Sequence, residues 1–366
     1  MGKHLNEIKI STPGRVCLFG EHQDYLQLPI VACAISLRIS IEGSRRKDDL
    51  INIQLPNINE EETFSLKEPI IYSKERDYFK SSVKVILKYG FTFSSGFDCI
   101  VDGKIPINAG TSSSSALIVT WINFLARMSD QALQLPADEL AKYAYEAEVL
   151  EFSEPGGMMD QYSTSIGGII ALDFYPSIKV TRMNNSLKTF VLGNSHQPKD
   201  TKYILSHVKD QILNVDKILK NYNSDFSLQT IKISELKKYS KLLNEVQFKI
   251  LEGTIKNRDI TVIARNELSK RNPDHKVIGM LLTEHHSVLR DILKISTPKI
   301  DGMIEAALAA GAYGAKVNGS GGGGCMFAYA PENADNVRQA IEEAGGEAFI
   351  IVPDTGSREE VEELVK

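Results

Sequence analysis

The chain has 366 residues and a mass of 40.6 kDa, longer than a single hydrophobic core usually grows, so two domains with a cleft between them are expected. Hydrophobic residues make up 42% and charged residues 24%, which excludes the composition of a disordered chain. The net charge of -5 and pI near 5.9 argue against nucleic acid as a partner, since phosphate neutralisation calls for a basic surplus.

The four cysteines, Cys17, Cys33, Cys99 and Cys325, lie far apart with no CxxC pair or Cys/His cluster, so they read as buried reduced thiols. The opening MGKHLNEIKIS lacks the apolar run of a signal peptide, and no stretch approaches the roughly 20 apolar residues of a membrane span. A cytoplasmic protein without a membrane partner is expected. Its oligomeric state is left open.

Along the chain, residues 7–42 read as strands: IKIS, a turn at Pro13-Gly14, RVCLF, the polar loop GEHQDY, and LPIVACAISLRISIEG with Leu37, Ile39 and Ile41 alternating. Residues 51–66 give two more strands around a polar turn. Helical spacing covers Tyr78–Tyr89, and Phe97–Val101 returns to a strand. IPINAGTSSSSALIVTWINFLARM is a small-residue loop running into an apolar helix. A helix over 137–152 opens at Asp138 as N-cap and runs into a loop at EPGGMMDQ. After GGIIALDFYP, long helical patterns run to about Ile295 through YILSHVKDQILNVDKILKNY and ISELKKYSKLLNEVQFKILEG, and the composition shift near 185–200 marks a candidate domain boundary. The C-terminal part alternates helix IDGMIEAALAAGA, strand AKVNG, loop SGGGGC, strand MFAYAP, helix ADNVRQAIEEAG and strand EAFIIVP, a small α+β lobe.

Three segments carry candidate chemistry. Gly110, Thr111, Ser112, Ser113, Ser114 and Ser115 pack small residues ahead of a helix, so backbone N–H groups and the positive helix end can face a phosphate. The loop is neither a Walker A nor a GxGxxG motif, and a Ser-rich run also reads as exposed linker. Gly319–Gly324 sits between two short strands, as a flexible hairpin or a place where backbone approaches a ligand or an opposing loop. Arg15 precedes the turn holding Glu21, His22 and Asp24, either an ordinary polar turn or acceptors for sugar hydroxyls. Phosphoryl transfer needs positioned phosphates, positive charge and a group to take the hydroxyl proton. Asp160 and Arg15 supply the last two, and Ser114 and Glu148 offer hard oxygens for Mg2+.

Taken together and in this order, PGRVCLFGEHQDY, PINAGTSSSSA, EPGGMMDQYSTSIGG and KVNGSGGGGC resemble the motifs of the GHMP kinase family, in its galactokinase-like sugar 1-kinase branch. The resemblance implies an α+β fold of two domains, a ribosomal-protein-S5-like one over 1–190 and a ferredoxin-like one over 191–366. It implies ATP and Mg2+ as cofactors, with the loop Gly110–Ser115 on the ATP phosphates and Ser114 and Glu148 on the metal. Asp160 and Arg15 become the catalytic pair, and Glu21, His22 and Asp24 the sugar-binding residues. The sequence departs from the branch at Gln23, where Thr is usual, at Leu26-Gln27-Leu28-Pro29, where Asn-Gly-Gly is usual, at Asn108 for Gly and at Thr111 for Leu. It also lacks an evident Arg-rich, Cys-containing segment in its second half. Two alternatives stand beside a sugar kinase: a mevalonate kinase-like enzyme, against which Arg15 speaks because that group places Lys on the first strand, and a non-catalytic nucleotide or sugar sensor.

Overall fold

The computed structural model describes residues 7–107, 109–154, 156–183, 187–198 and 206–360. The domain boundary expected near 185–200, the opening segment 1–11 read as lacking a signal peptide, and the departure at Asn108 fall wholly or partly outside them.

Strand β1 (Glu7–Phe19) alternates exposed and buried only as far as Ile10; from Ser11 both faces are covered, the pattern of a strand inside the protein. It pairs antiparallel with β2 (Ile30–Arg45). The hairpin β3 (Leu50–Leu55) and β4 (Glu60–Ser65) joins through β5 (Phe97–Gly103), which runs parallel to β3 and antiparallel to β2. Strands β6 (Ile169–Asp173) and β7 (Lys179–Arg182) extend the sheet from β2. A second, antiparallel sheet has the order β11-β8-β10-β9, from β8 (Phe190–Asn194), β9 (Gly314–Val317), β10 (Cys325–Tyr329) and β11 (Glu347–Ile351). The chain then returns to the first sheet, where β12 (Arg358–Glu359) pairs with β1.

Helices α1 (Tyr78–Lys88), α2 (Ser113–Met128), α3 (Ala137–Tyr145) and α4 (Met159–Ile166) belong to the first half. Helices α5 (Gln211–Tyr222), α6 (Glu245–Leu268), α7 (His275–Asp291), α8 (Pro298–Ala309) and α9 (Ala334–Glu343) belong to the second. Apolar nearly all round, α2 is buried for most of its length, as such a helix must be. Its Trp121 is fully buried among Phe79, Phe97 and Phe124, and its indole N–H donates to the Phe79 carbonyl at 3.0 Å. A separate core forms where Val16, Leu18 and Phe19 of β1 meet Phe190, Leu192 and Phe327 of the small sheet and Ile260 and Leu282 of α6 and α7. The two sheets thus share apolar surface behind the end of β1. All four cysteines are buried and none is in a disulfide, and among the described residues no helix is long and apolar enough to cross a membrane.

Several local expectations are corrected. Pro13-Gly14 is not a turn but a register shift inside β1, where proline is tolerated because the ladder is already broken. The helix expected over 137–152 has Pro136 as N-cap, with Asp138 in its first turn, and passes at Glu146–Leu150 into a π-helical turn. Asp160 lies in the first turn of α4 instead of a loop. Ile233–Tyr239 is a 3-10 helix, in which Leu236 and Tyr239, three residues apart, lie on one side and are buried.

Replacing Trp121 by Ala is expected to cost about 3–5 kcal/mol of stability through the cavity and the lost indole bond, read as a lowered urea midpoint by circular dichroism.

Candidate active site

The register shift in β1 has a purpose in the tertiary structure. A Cβ on Gly14 would lie 2.9 Å from the Thr111 carbonyl oxygen, and the Arg15 N–H donates to that same oxygen at 3.1 Å. Glycine and a broken ladder let the small-residue loop lie directly on β1. Gly110 (φ 87°) and Ser112 (φ 60°) turn the loop sharply into α2. Ser112 is the N-cap but makes no side-chain capping bond, and its buried hydroxyl has no hydrogen-bond partner. The first N–H groups of α2 therefore lack a side-chain cap, as suits an anion-binding helix end. Thr111, Ser112 and Ser115 are buried, while Ser113 and Ser114 are half-buried.

Arg15 is 4% exposed and Asp160 30%, so the guanidinium lies behind the carboxylate and the carboxylate faces outward. Two nitrogens of Arg15 reach the same Asp160 oxygen, Nε at 2.8 Å and Nη2 at 2.7 Å, and Nη1 donates to the Gly110 carbonyl at 2.5 Å. The side chain thus ties Asp160 to the loop Gly110–Ser115. Asp24 lies close enough to feel the Asp160 charge: burial, with Asp160 adding to it, raises its pKa to about 6. Room for the Asp24 carboxylate exists because residue 157 is glycine, whose Cβ would fall 1.8 Å from Oδ2.

Glu148 sits in the π-helical turn after α3, a local widening of the helix that recurs at functional sites. Burial raises its pKa, while the hydroxyl of Ser115, the amide of Gln161 (Nε2 to Oε2 2.7 Å) and the hydroxyl of Ser114 hold it back. The structure therefore brings Ser114 and Glu148 together beside Asp160. One carboxylate and a hydroxyl of this hardness fit an ion that keeps waters and phosphate oxygens as its other ligands, as Mg2+ does. Among the described residues no group of three or more His, Cys, Asp or Glu could hold a metal by itself.

The turn 20–28 divides its side chains. His22 (φ 60°) places Nε2 3.0 Å from the Ser320 carbonyl and Nδ1 3.1 Å from the Tyr25 hydroxyl. A carbonyl only accepts, so Nε2 donates, and in the neutral ring Nδ1 accepts from Tyr25. Glu21 goes the other way: it is 1% exposed and pairs with Lys316, itself fully buried. Of the three residues expected around an acceptor, His22 and Asp24 are half-buried, and Glu21 is turned into the interior.

The run Gly319–Gly324 is a loop packed on opposing backbone. All five of its glycines have positive φ, and a Cβ on Gly321 would strike the Ile295 carbonyl. Gly322 N donates to Ile295 O at 2.7 Å, Gly324 N to Gln197 O at 3.0 Å, and Cys325 N to Ala109 O at 2.8 Å, joining the C-terminal loop to the small-residue loop before α2. Sequence reasoning weighed the glycines here and passed over Lys316 and Asn318 beside them. Gly157 and Gln161 were also missed as functional neighbours, although both stand inside the quoted GGMMDQ.

The family description "GHMP kinases N terminal domain" matches residues 77–168, "GHMP kinases C terminal" matches 266–347, and "Galactokinase galactose-binding signature" matches 2–45. The chain is 28% identical to a mevalonate kinase of Pyrococcus furiosus, over 97% of this chain and 98% of that protein. It is 27% identical to a galactokinase of Haemophilus influenzae, over 93% and 89%. The structure of Lactococcus lactis galactokinase complexed with galactose superposes with a TM-score of 0.84 at 22% identity, covering 98% of this chain and 96% of that one, a likeness of fold. Matched in both its N-terminal and its C-terminal half, the chain belongs to the GHMP kinase family.

Proposed function

We propose that this chain is an ATP-dependent kinase that transfers the γ-phosphate to a hydroxyl of a small acceptor, with the anomeric hydroxyl of a sugar as the favoured target. The observation that carries the reading is the Asp160 carboxylate held outward by Arg15 at 2.7–2.8 Å, beside the loop that opens α2. Asp160 takes up or orients the acceptor proton, and Arg15 supplies positive charge where the phosphoryl group moves. The backbone and hydroxyls of Gly110, Thr111, Ser112, Ser113, Ser114 and Ser115 cradle the ATP phosphates at the helix end. Ser114 and Glu148 would hold Mg2+, which when bound offsets the charge of those phosphates. His22 and Asp24 are assigned to acceptor hydroxyls; Glu21, paired with Lys316, is left to a supporting role. The domain division expected at 190/191 is proposed to lie just before β8, which enters the small sheet at Phe190, and the end of the chain, where β12 pairs with β1, returns to the first sheet.

A sugar acceptor is supported by the galactose-binding signature over 2–45 and by galactokinase relatives. A mevalonate acceptor is the second reading, favoured by the Pyrococcus furiosus relative at 28% identity. A panel of galactose, other hexoses, uronic acids, deoxysugars and mevalonate, assayed by ADP release with product identification, separates them. Turnover of a sugar at its anomeric hydroxyl is expected. Turnover of mevalonate alone would replace the first reading by the second.

Asp160→Asn is expected to lower kcat by about 100- to 10,000-fold while the nucleotide dissociation constant changes little, compared by steady-state kinetics and calorimetry. Undiminished turnover would assign the proton transfer to another group.

Asp24, with a pKa raised to about 6, is ionised above that pH and protonated below it. As a hydroxyl acceptor it is therefore lost as the pH falls through about 6. The pH profile of kcat/KM for the acceptor should show an acid limb near there, and Asp24→Asn should lower the plateau and remove that limb.

A further inference from the structure

We propose that Lys316 and Asn318, at the end of β9, are positioning residues that clamp the last residues of β1 from behind and so hold Arg15, His22 and Asp24 in working geometry. The inference rests on the kinase reading for its consequence and on geometry alone for its existence. Lys316 and Asn318 are both 0% exposed and come from the C-terminal sheet, yet both bond to one residue of the N-terminal strand. The Lys316 ammonium donates to the Cys17 carbonyl at 3.0 Å, and the Asn318 Oδ1 accepts from the Cys17 N–H at 2.9 Å. Both backbone polar groups of Cys17 thus bond to side chains two residues apart at the end of β9.

Each clamp residue has a second grip nearer the chemistry. Lys316 also donates to its neighbour's carbonyl, Val317 O, at 2.9 Å and to Glu21 Oε1, which pins the turn carrying His22 and Asp24. Asn318 Nδ2 donates at 2.8 Å to the Gly110 carbonyl, the acceptor that Arg15 Nη1 also uses. The Lys316 ammonium lies 5.1 Å from the Phe327 ring centroid, and Glu21 Oε2 has no hydrogen-bond partner, with His285 Nδ1 3.9 Å away. Burying two charges costs several kcal/mol per ion unless they are paired, and an apolar pair would often be as stable. What the charged pair adds is direction: three acceptors around one ammonium fix the turn relative to β9 in a way apolar contact would not. This arrangement withholds Glu21 from the cleft, so acceptor recognition in this chain falls to its neighbours.

Lys316→Met alone would strand a buried carboxylate, so the clamp is tested with the neutral pair Lys316→Met with Glu21→Gln, and independently with Asn318→Leu. Hydrogen exchange followed by mass spectrometry should show amides of residues 17–25 exchanging at least about tenfold faster in both variants, with β3 and α1 unchanged. With an acceptor that the wild-type chain phosphorylates, kcat should fall about 100-fold, as for a small misplacement of reacting groups, while KM for ATP stays near its wild-type value. Unchanged exchange at 17–25 overturns the proposal, and so does loss of protection throughout the first sheet, which would make the contacts a matter of global stability. Normal turnover by both variants also overturns it. Local loosening in a chain whose wild type phosphorylates no acceptor would instead defeat the kinase reading and leave the clamp standing.

Discussion

One carbonyl oxygen ties this molecule together. Gly110 O accepts from Arg15 Nη1 of the first strand and from Asn318 Nδ2 of the small sheet, and belongs itself to the loop that starts α2. Three stretches separated by 95 and 208 positions in the chain therefore meet at one acceptor. A carbonyl has two lone pairs, so it can serve both donors, and a glycine with φ 87° can aim it into the interior. The orientation of Asp160 follows, because Asp160 is held by the same guanidinium.

The region around this node holds several buried charged groups close together. Arg15 is buried behind its outward-facing carboxylate, Lys316 is buried with Glu21, and His285 is fully buried nearby, its pKa held well below the ordinary value by burial and by Lys316. Such pairs contribute little net stability compared with apolar packing, but removing one partner leaves an uncompensated charge. The surrounding apolar core, where β1 meets β8, β10, α6 and α7, carries the stability that these groups do not. Polar specificity sits inside an apolar frame.

The stretch where the sequence departs from the galactokinase pattern has a structural explanation. Leu26 and Leu28 are 6% and 0% exposed and pack with Val208, Ile212 and Val215 of the second half, while Gln27 takes φ 58° between them. Leu-Gln-Leu-Pro thus anchors the turn to the C-terminal helices through apolar side chains. Tyr25 lies on the same core and also hydrogen-bonds His22, with Lys209 over its ring at 5.1 Å. The turn is held on one side by leucines and on the other by Lys316, and His22 and Asp24 project between these anchors.

The sequence by itself determined the elements and the chemistry on offer. Period-two alternation gave β2, the apolar run after the serines gave α2, and the four motifs in order gave the family and the pairing of Asp160 with Arg15. These features are local, written within about one strand or one helix of chain. Only the tertiary structure decided what depends on distant contacts. Pro13-Gly14 looked like a turn because proline and glycine break local structure, and only the approach of Thr111 makes the break a docking site. Glu21 looked like a ligand for hydroxyls, and only a lysine 295 positions away turns it inward. A carboxylate in a turn has no preferred side until a partner across the fold supplies one, and that partner is set by packing, which no short window of sequence contains.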